Sequence, residues 1–207
     1  MQATVLPDSF ATNYFMFMPH ITTALTEADL IGILLLQQAN LGRNLTPQEA
    51  ATQGFVTVEH SLNELEKLNL IEKHIVAKEA EEVVGYVLTM TPDSKTQIPV
   101  LIPMFEIFDH ITYQNNIVST YRYMVVGQVC IAKSHRGTGL FHACYEAFRK
   151  QYTGKYHFAI TEIAANNYRS LKAHSRMGFE AVHTYIAPNG VEWVVVVWDW
   201  QQNKAKG

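Results

Sequence analysis

Val129-Cys130-Ile131-Ala132-Lys133-Ser134-His135-Arg136-Gly137-Thr138-Gly139-Leu140 is the stretch of this chain from which the rest is read. An extended apolar run ends in a glycine-rich turn, and the turn feeds residues 140–152, which carry helical periodicity. Gly137 and Gly139 let backbone amides approach a ligand closely, and a helix start leaves its first amides without intrahelical partners. Such a turn suits a phosphate or pyrophosphate, and Arg136 can add a charge-assisted contact. The same residues also suit a plain turn at a helix start with a solvated Arg. Two common phosphate loops are absent. No Lys-Ser/Thr pair follows the glycines, and Phe141-His142 follows Gly139 where a dinucleotide fingerprint needs its third glycine.

Downstream, residues 156–163 read as a strand. Alternation puts Phe158, Ile160 and Glu162 on one face and Ala159, Thr161 and Ile163 on the other. An acid sharing a face with two apolar residues is paired, edge-exposed, or desolvated with a raised pKa. A second cluster follows, from Asn166-Asn167 through Ser170, Leu171 and His174 to Met177-Gly178-Phe179. Asn at a strand-to-helix junction suits a cap, and Gly178 suits a left-handed helix end, so the spacing predicts a capped helix over 170–177. Residues 181–187 and 192–200 are then joined across Pro188-Asn189-Gly190, the strongest hairpin signal in the chain. Trp198 and Trp200 share one face of that hairpin and read as core or a subunit contact.

Upstream, residues 1–13 read as a loose arm and 14–22 as a first strand. Residues 26–70 read mostly as helix. Thr26 precedes Glu27 and Asp29, and Thr46-Pro47-Gln48-Glu49 combines a cap, a Pro at the first helical position and a Glu three residues after the cap. Leu62, Leu65 and Leu68 extend the helical spacing across 57–70. Residues 75–78 and 83–91 form a hairpin, and 122–132 is a strand. Between them, 93–122 is an insertion of the length that usually serves as a functional loop. Its Met104, Phe105, Phe108 and Tyr113 suit an apolar lid, with Glu106 and Asp109 placed to attract an ammonium group; covering a sheet edge or a dimer contact fits equally. The order of elements predicts an α+β, or mixed α/β, layered fold built as one domain over 1–207.

Composition limits the partners. The chain has 207 residues, 48% of them apolar and 17% charged, with 16 Lys and Arg against 19 Asp and Glu. A net charge of −3 supplies no broad cationic face for nucleic acid. The apolar runs at 30–36 and 194–198 are too short to cross a bilayer, and the N-terminus carries no basic leader, so no membrane association and a cytoplasmic location are expected. Cys130 and Cys144 lie in apolar settings and read as core filler. No HxxxH or HExxH pair occurs, and no metal site is expected.

Taken together, the two clusters resemble the GCN5-related N-acetyltransferase (GNAT) superfamily. Arg136-Gly137-Thr138-Gly139-Leu140-Phe141 matches its [Q/R]xxGx[G/A] pyrophosphate loop, and Asn167, Ser170, His174, Gly178 and Phe179 follow its NxxAxxxYxxxGF pattern. Val83-Val84-Gly85-Tyr86-Val87-Leu88 is similar to its third strand. The resemblance implies one mixed, bent sheet flanked by helices, with the fourth and fifth strands splayed around acetyl-CoA. It implies transfer of the acetyl group from acetyl-CoA by direct attack of a primary amine; the acceptor is not identified, a small-molecule amine is expected, and the insertion and the Trp198 and Trp200 face leave a homodimer open. Carried over residue by residue, Val129, Cys130 and Ile131 would meet the pantetheine arm. Arg136, Gly137, Thr138, Gly139, Leu140 and Phe141 would hold the pyrophosphate, and Asn167 and Ser170 would lie beside the cofactor. His174 stands where the family has a Tyr that protonates the departing thiolate, and it is the candidate acid, although it suits a helix surface equally. Glu162 is the candidate base. Phe141 replaces a small residue, so its side chain must point into the helix packing. These two departures keep open a non-catalytic acyl-CoA-binding or regulatory module, and a structural protein whose turn binds nothing is the third reading.

Overall fold

The computed structural model describes residues 19–96 and 98–201. The loose arm expected over 1–13 and most of the strand expected over 14–22 lie outside these residues; what is described is a short strand β1 (His20–Thr23). Helices α1 (Glu27–Gln38), α2 (Pro47–Gln53) and α3 (Leu62–Ile71) follow. Each begins with a complete capping box, Thr26 with Asp29, Thr46 with Glu49 and Ser61 with Glu64, which satisfies amides that the helix itself leaves orphaned. The helix expected from residue 57 starts instead at Leu62. Residues 54–61 are extended because Val56 forms a parallel bridge to Leu41 and the Ser61 cap sets the helix start.

Strands β2 (Ile75–Glu79) and β3 (Glu82–Met90) form the expected hairpin. The insertion contains α4 (Ile102–Phe108) and a small hairpin of β4 (Thr112–Tyr113) and β5 (Asn116–Ile117). Then come β6 (Tyr123–Ile131), α5 (Leu140–Tyr152), β7 (Phe158–Ala164), α6 (Tyr168–Met177), β8 (Glu180–Ile186) and β9 (Glu192–Asp199). The main sheet runs β1-β2-β3-β6-β7-β9-β8. Every neighbouring pair in it is antiparallel except β6 and β7.

Strand alternation sends side chains to two faces. On one, Cys144, Tyr145, Phe148 and Tyr152 of α5 pack on Ala77, Val87, Met124 and Ala159, with Trp198 and Trp200 in the same cluster. On the other, Leu30, Ile33 and Leu65 of α1 and α3 cover Val76, Tyr86 and Leu88, while the insertion covers Val125, Phe158, Ile160, Val195 and Val197. The insertion, for which a lid, a covered sheet edge and a dimer contact are equally open from sequence, packs its apolar residues on the sheet. Met104, Phe105 and Phe108 are buried against the sheet, and Asp109 takes an ion pair from Lys95 at 3.2 Å. Burying a Phe or Met side chain is worth roughly 1.5–3 kcal/mol, so these three anchors hold α4 down on the sheet.

The feature that positions the site is the short pairing of β6 with β7. Their parallel ladder runs from Tyr123↔Phe158 only to Val125↔Ile160. At the next step the Thr161 hydroxyl donates to the Val126 carbonyl at 2.7 Å, and beyond it the strands part. β6 continues alongside β3, with a register shift opposite Leu88 and Thr89, and β7 continues alongside β9. Two strand edges thus face one another across an opening.

Candidate active site

At one end of this opening lies the glycine turn. Gly137 and Gly139 have φ of 81° and 91°, a left-handed conformation that β-carbon-bearing residues adopt only with strain. A Cβ added at either would meet nothing within 4 Å, so the turn is open on its outer side. α5 starts at Leu140 with no side-chain cap, which leaves its first amides pointing out of the helix end. A cleft of about 420 Å³ runs from this turn along Val129, Cys130 and Ile131 to the start of α6. Arg169 and Arg176 line it and give it positive character. An open glycine cradle, unpaired helix amides and flanking cations fit a pyrophosphate-bearing ligand.

The residues expected at the cofactor divide. Val129, Cys130, Ile131, Arg136, Gly137, Gly139, Phe141, Asn167 and Ser170 all line the cleft. Thr138 and Leu140 are not among its walls: the Thr138 hydroxyl donates to the His135 carbonyl at 2.8 Å, and Leu140 is buried in the core below α5. Phe141 packs its ring on Tyr145 and His174, with centroids 5.0 and 5.5 Å away, which keeps its bulk in the helix packing. Arg136 differs most from expectation. Its guanidinium donates to Ile131 O at 3.1 Å, Gln53 Oε1 at 3.1 Å and Asn40 Oδ1 at 2.5 Å. A fork satisfied on three sides ties the helical N-terminal region to the turn, where a phosphate contact was expected. Burial pushes the Cys130 and Cys144 thiols up to about 12, so both are neutral filler.

At the other end, between the parted strands, is a smaller cavity of about 70 Å³ lined by Val126, Gln128, Thr161, Glu162, Ser170 and Trp193, among others. Phe55, Val56, Val129, Asn167 and Ser170 line both spaces and mark where they meet. Desolvation pushes the Glu162 carboxyl up to about 7, against the opposing effect of a hydrogen bond from the Tyr185 hydroxyl to Oε2 at 2.5 Å. Among the described residues no hydrogen bond reaches the other oxygen, Oε1. Of the three environments open to Glu162 from sequence, the desolvated one is found.

His174 also lines this cavity, but it is only 3% exposed. Its Nδ1 lies 2.8 Å from the Ser170 carbonyl, which can only accept, so Nδ1 carries the hydrogen and Nε2 accepts from the Tyr145 hydroxyl at 2.6 Å. Phe141, Tyr145 and Phe179 surround the ring edge to face. Burial holds its pKa down to about 4, so the imidazole is neutral at physiological pH, with both nitrogens occupied.

Two contributors escaped the sequence reading. Residues 54–57 wall the two spaces, Phe55 and Val56 lining both. The segment turns at Gly54 (φ 72°), and the Phe55 and Val58 carbonyls accept from Asn167 Nδ2 at 3.1 Å and Gln128 Nε2 at 2.8 Å. Asn167 also caps α6, its Oδ1 accepting from Ser170 N at 3.3 Å. Tyr185 is the second. Only the Gly at 54 and the Tyr on a predicted strand were available as signals, and neither says what lies across from it.

Comparison with known proteins agrees with this architecture. The sequence model of the acetyltransferase (GNAT) family matches residues 45–179, and the chain belongs to that family. A search of curated proteins found no match. Among solved structures, the NatC complex bound to Gag peptide and CoA aligns with a TM-score of 0.61 at 12% identity, over 88% of this chain and 99% of that chain. NAA60 from Arabidopsis thaliana in complex with acetyl-CoA gives 0.56 at 15% identity, over 88% and 99%. The spermidine/spermine N-acetyltransferase SpeG from Vibrio cholerae gives 0.53 at 15% identity, over 91% and 99%. At these identities the likeness is one of fold. Among the described residues no helix is long and apolar enough to cross a membrane.

Proposed function

We propose that this protein transfers an acetyl group from acetyl-CoA to a primary amine of a small-molecule acceptor, with Glu162 as the general base. The observation that carries this reading is a desolvated carboxyl in the opening between β6 and β7, next to a cleft that ends in an open glycine cradle. Bound acetyl-CoA supplies an activated thioester. The amides of Gly137, Gly139 and the first turn of α5 would hold its pyrophosphate, and the edge of β6 from Val129 to Ile131, which β7 leaves unpaired, would hold its pantetheine arm.

Glu162 answers the next requirement. An alkyl ammonium, with a pKa near 10.4, is not a nucleophile until it loses a proton. A carboxyl held at about 7 is largely ionised at slightly alkaline pH and is a stronger base than an ordinary Glu. Its Oε1 takes the amine proton, directly or through one water, as the amine nitrogen bonds to the acetyl carbon; the carbon–sulfur bond would break, and the departing thiolate would take its proton from solvent. His174 serves in our reading as a packing residue that fixes α6 against α5, because its Nδ1–H and its Nε2 lone pair already have partners. The enclosure of His174 also favours a second reading, a binding module without turnover. Calorimetry with acetyl-CoA, followed by thiol release in the presence of an amine panel across pH, separates the two. Saturable binding with amine-dependent thiol release, rising through pH 7 to a plateau, is expected; binding without release would establish the module, and no binding would overturn both.

A further inference from the structure

We propose that Tyr185 is a positioning residue for the base: its hydroxyl, reaching across β9 from the edge strand β8, holds one oxygen of Glu162 so that the other is presented to the opening between β6 and β7. This role rests on the transferase reading above, and it concerns a residue that does not itself line either cavity.

The strand register shows how the contact is made. Glu162 pairs with Val195, which pairs with His183, and one step along the same face Ala164 pairs with Trp193, which pairs with Tyr185. Tyr185 therefore stands two strands across and two residues along from Glu162, about 12 Å between backbones at ordinary strand spacing. A hydroxyl at the end of a phenyl ring spans that separation with Glu162 extended toward it, and a Ser or Thr at the same position does not. The ring is held on both sides. Tyr185 and Val182 pack against the cluster of Ile160, Val195 and Val197, and the His183 ring stacks on Tyr185 with centroids 6.3 Å apart and planes 22° apart.

The bond has a direction that matters for chemistry. Tyr185 is protonated throughout the physiological range, since burial and the neighbouring carboxylate both push its pKa up, so it donates and Glu162 Oε2 accepts. A donor on one oxygen favours the ionised carboxylate and fixes its rotamer, leaving Oε1 for the amine. The ionisable groups facing this pair are few. His174 in the cavity is neutral, the His183 ring stacks on the Tyr185 ring, and among the described residues no Lys or Arg lines the cavity beside Glu162.

The test is Tyr185→Phe, which keeps the ring and removes only the hydroxyl. Carboxyl titration of the unliganded protein by carbon-detected NMR reads Glu162 directly, and Glu162→Gln assigns the signal. We expect the Glu162 midpoint to rise by about one pH unit, the worth of one hydrogen bond to a charged group. The acidic limb of kcat/KM should move up by the same amount, and the Kd for acetyl-CoA should stay unchanged. A midpoint and a limb that both stay in place in folded Tyr185→Phe would overturn the proposal. A moved midpoint with an unmoved limb would overturn the positioning role while leaving the hydrogen bond real. If wild type transfers no acetyl group to any amine, the transferase reading fails, and the titration alone then reports whether the pair exists.

Discussion

The two ends of the opening between β6 and β7 are built by opposite means. The turn at 137–139 is made almost entirely of local backbone: two glycines with positive φ, a helix that starts immediately after them and amides that no side chain caps. The Glu162 end is made of distant side chains. Its carboxyl owes its environment to β6, to residues 55–57 and to Tyr185, 23 residues away. A site for a polyanion needs many equivalent donors in a fixed curve, which a backbone supplies from a few residues. A base of shifted pKa needs removal from water with a single defined partner, and only packed elements supply that.

This contrast can be strained hardest at the sheet face that carries Glu162. Phe108→Ala should cost about 3–5 kcal/mol of stability, because Phe108 is fully buried against that face, while the folded fraction keeps its acetyl-CoA affinity. Denaturant unfolding with parallel calorimetry checks it; a stable variant with altered acceptor KM would instead give the insertion the role of a lid.

Glu162→Gln comes next. Transfer should fall by ~10²-fold with its acidic limb abolished, and acetyl-CoA binding should persist. Its stability has a defined sign. The folded carboxyl is pushed up to about 7 by burial, above the 4.5 of an ordinary Glu, so ionisation costs the folded state more than the unfolded one, and wild type loses stability as pH rises from 4.5 through 7. The Gln variant escapes that loss and should be more stable than wild type above pH 7, by about 3 kcal/mol, with the difference vanishing below pH 4.5. Thermal midpoints at pH 4.5 and 8 read this directly.

Gly139→Asp addresses the other end. A side chain and a negative charge at the cradle should weaken acetyl-CoA binding at least tenfold, about 1.4 kcal/mol, while Glu162 titrates as in wild type. Unchanged affinity in a folded variant would reduce the loop to a turn. The smallest effect on transfer is expected from His174→Phe: kcat within about threefold and the same pH limbs, with a lowered unfolding midpoint because the Tyr145 hydroxyl loses its acceptor. A hundredfold loss of kcat with intact acetyl-CoA binding would return the proton-donor role to His174.

What the sequence determined by itself is what neighbouring residues decide. Thr26, Thr46 and Asn167 cap helices because a short oxygen-bearing side chain meets amides two or three residues on, and Asn189-Gly190 turns a hairpin because Gly190 accepts positive φ. The glycine loop before α5 and the shared face of Phe158, Ile160 and Glu162 are legible for the same reason. The motif order was enough to reach the family and its splayed strands. Tertiary structure decided the rest. Arg136 turned inward because Gln53 and Asn40, far back in the chain, were within its reach. His174 and the apolar residues of the insertion each had more than one reading in sequence, packing buried them, and only packing left Glu162 desolvated with one Tyr for company. Periodicity says which way a side chain points; what it meets there depends on strands and helices that the chain brings back from a distance, and a pKa, a partner or a lid is set by that meeting.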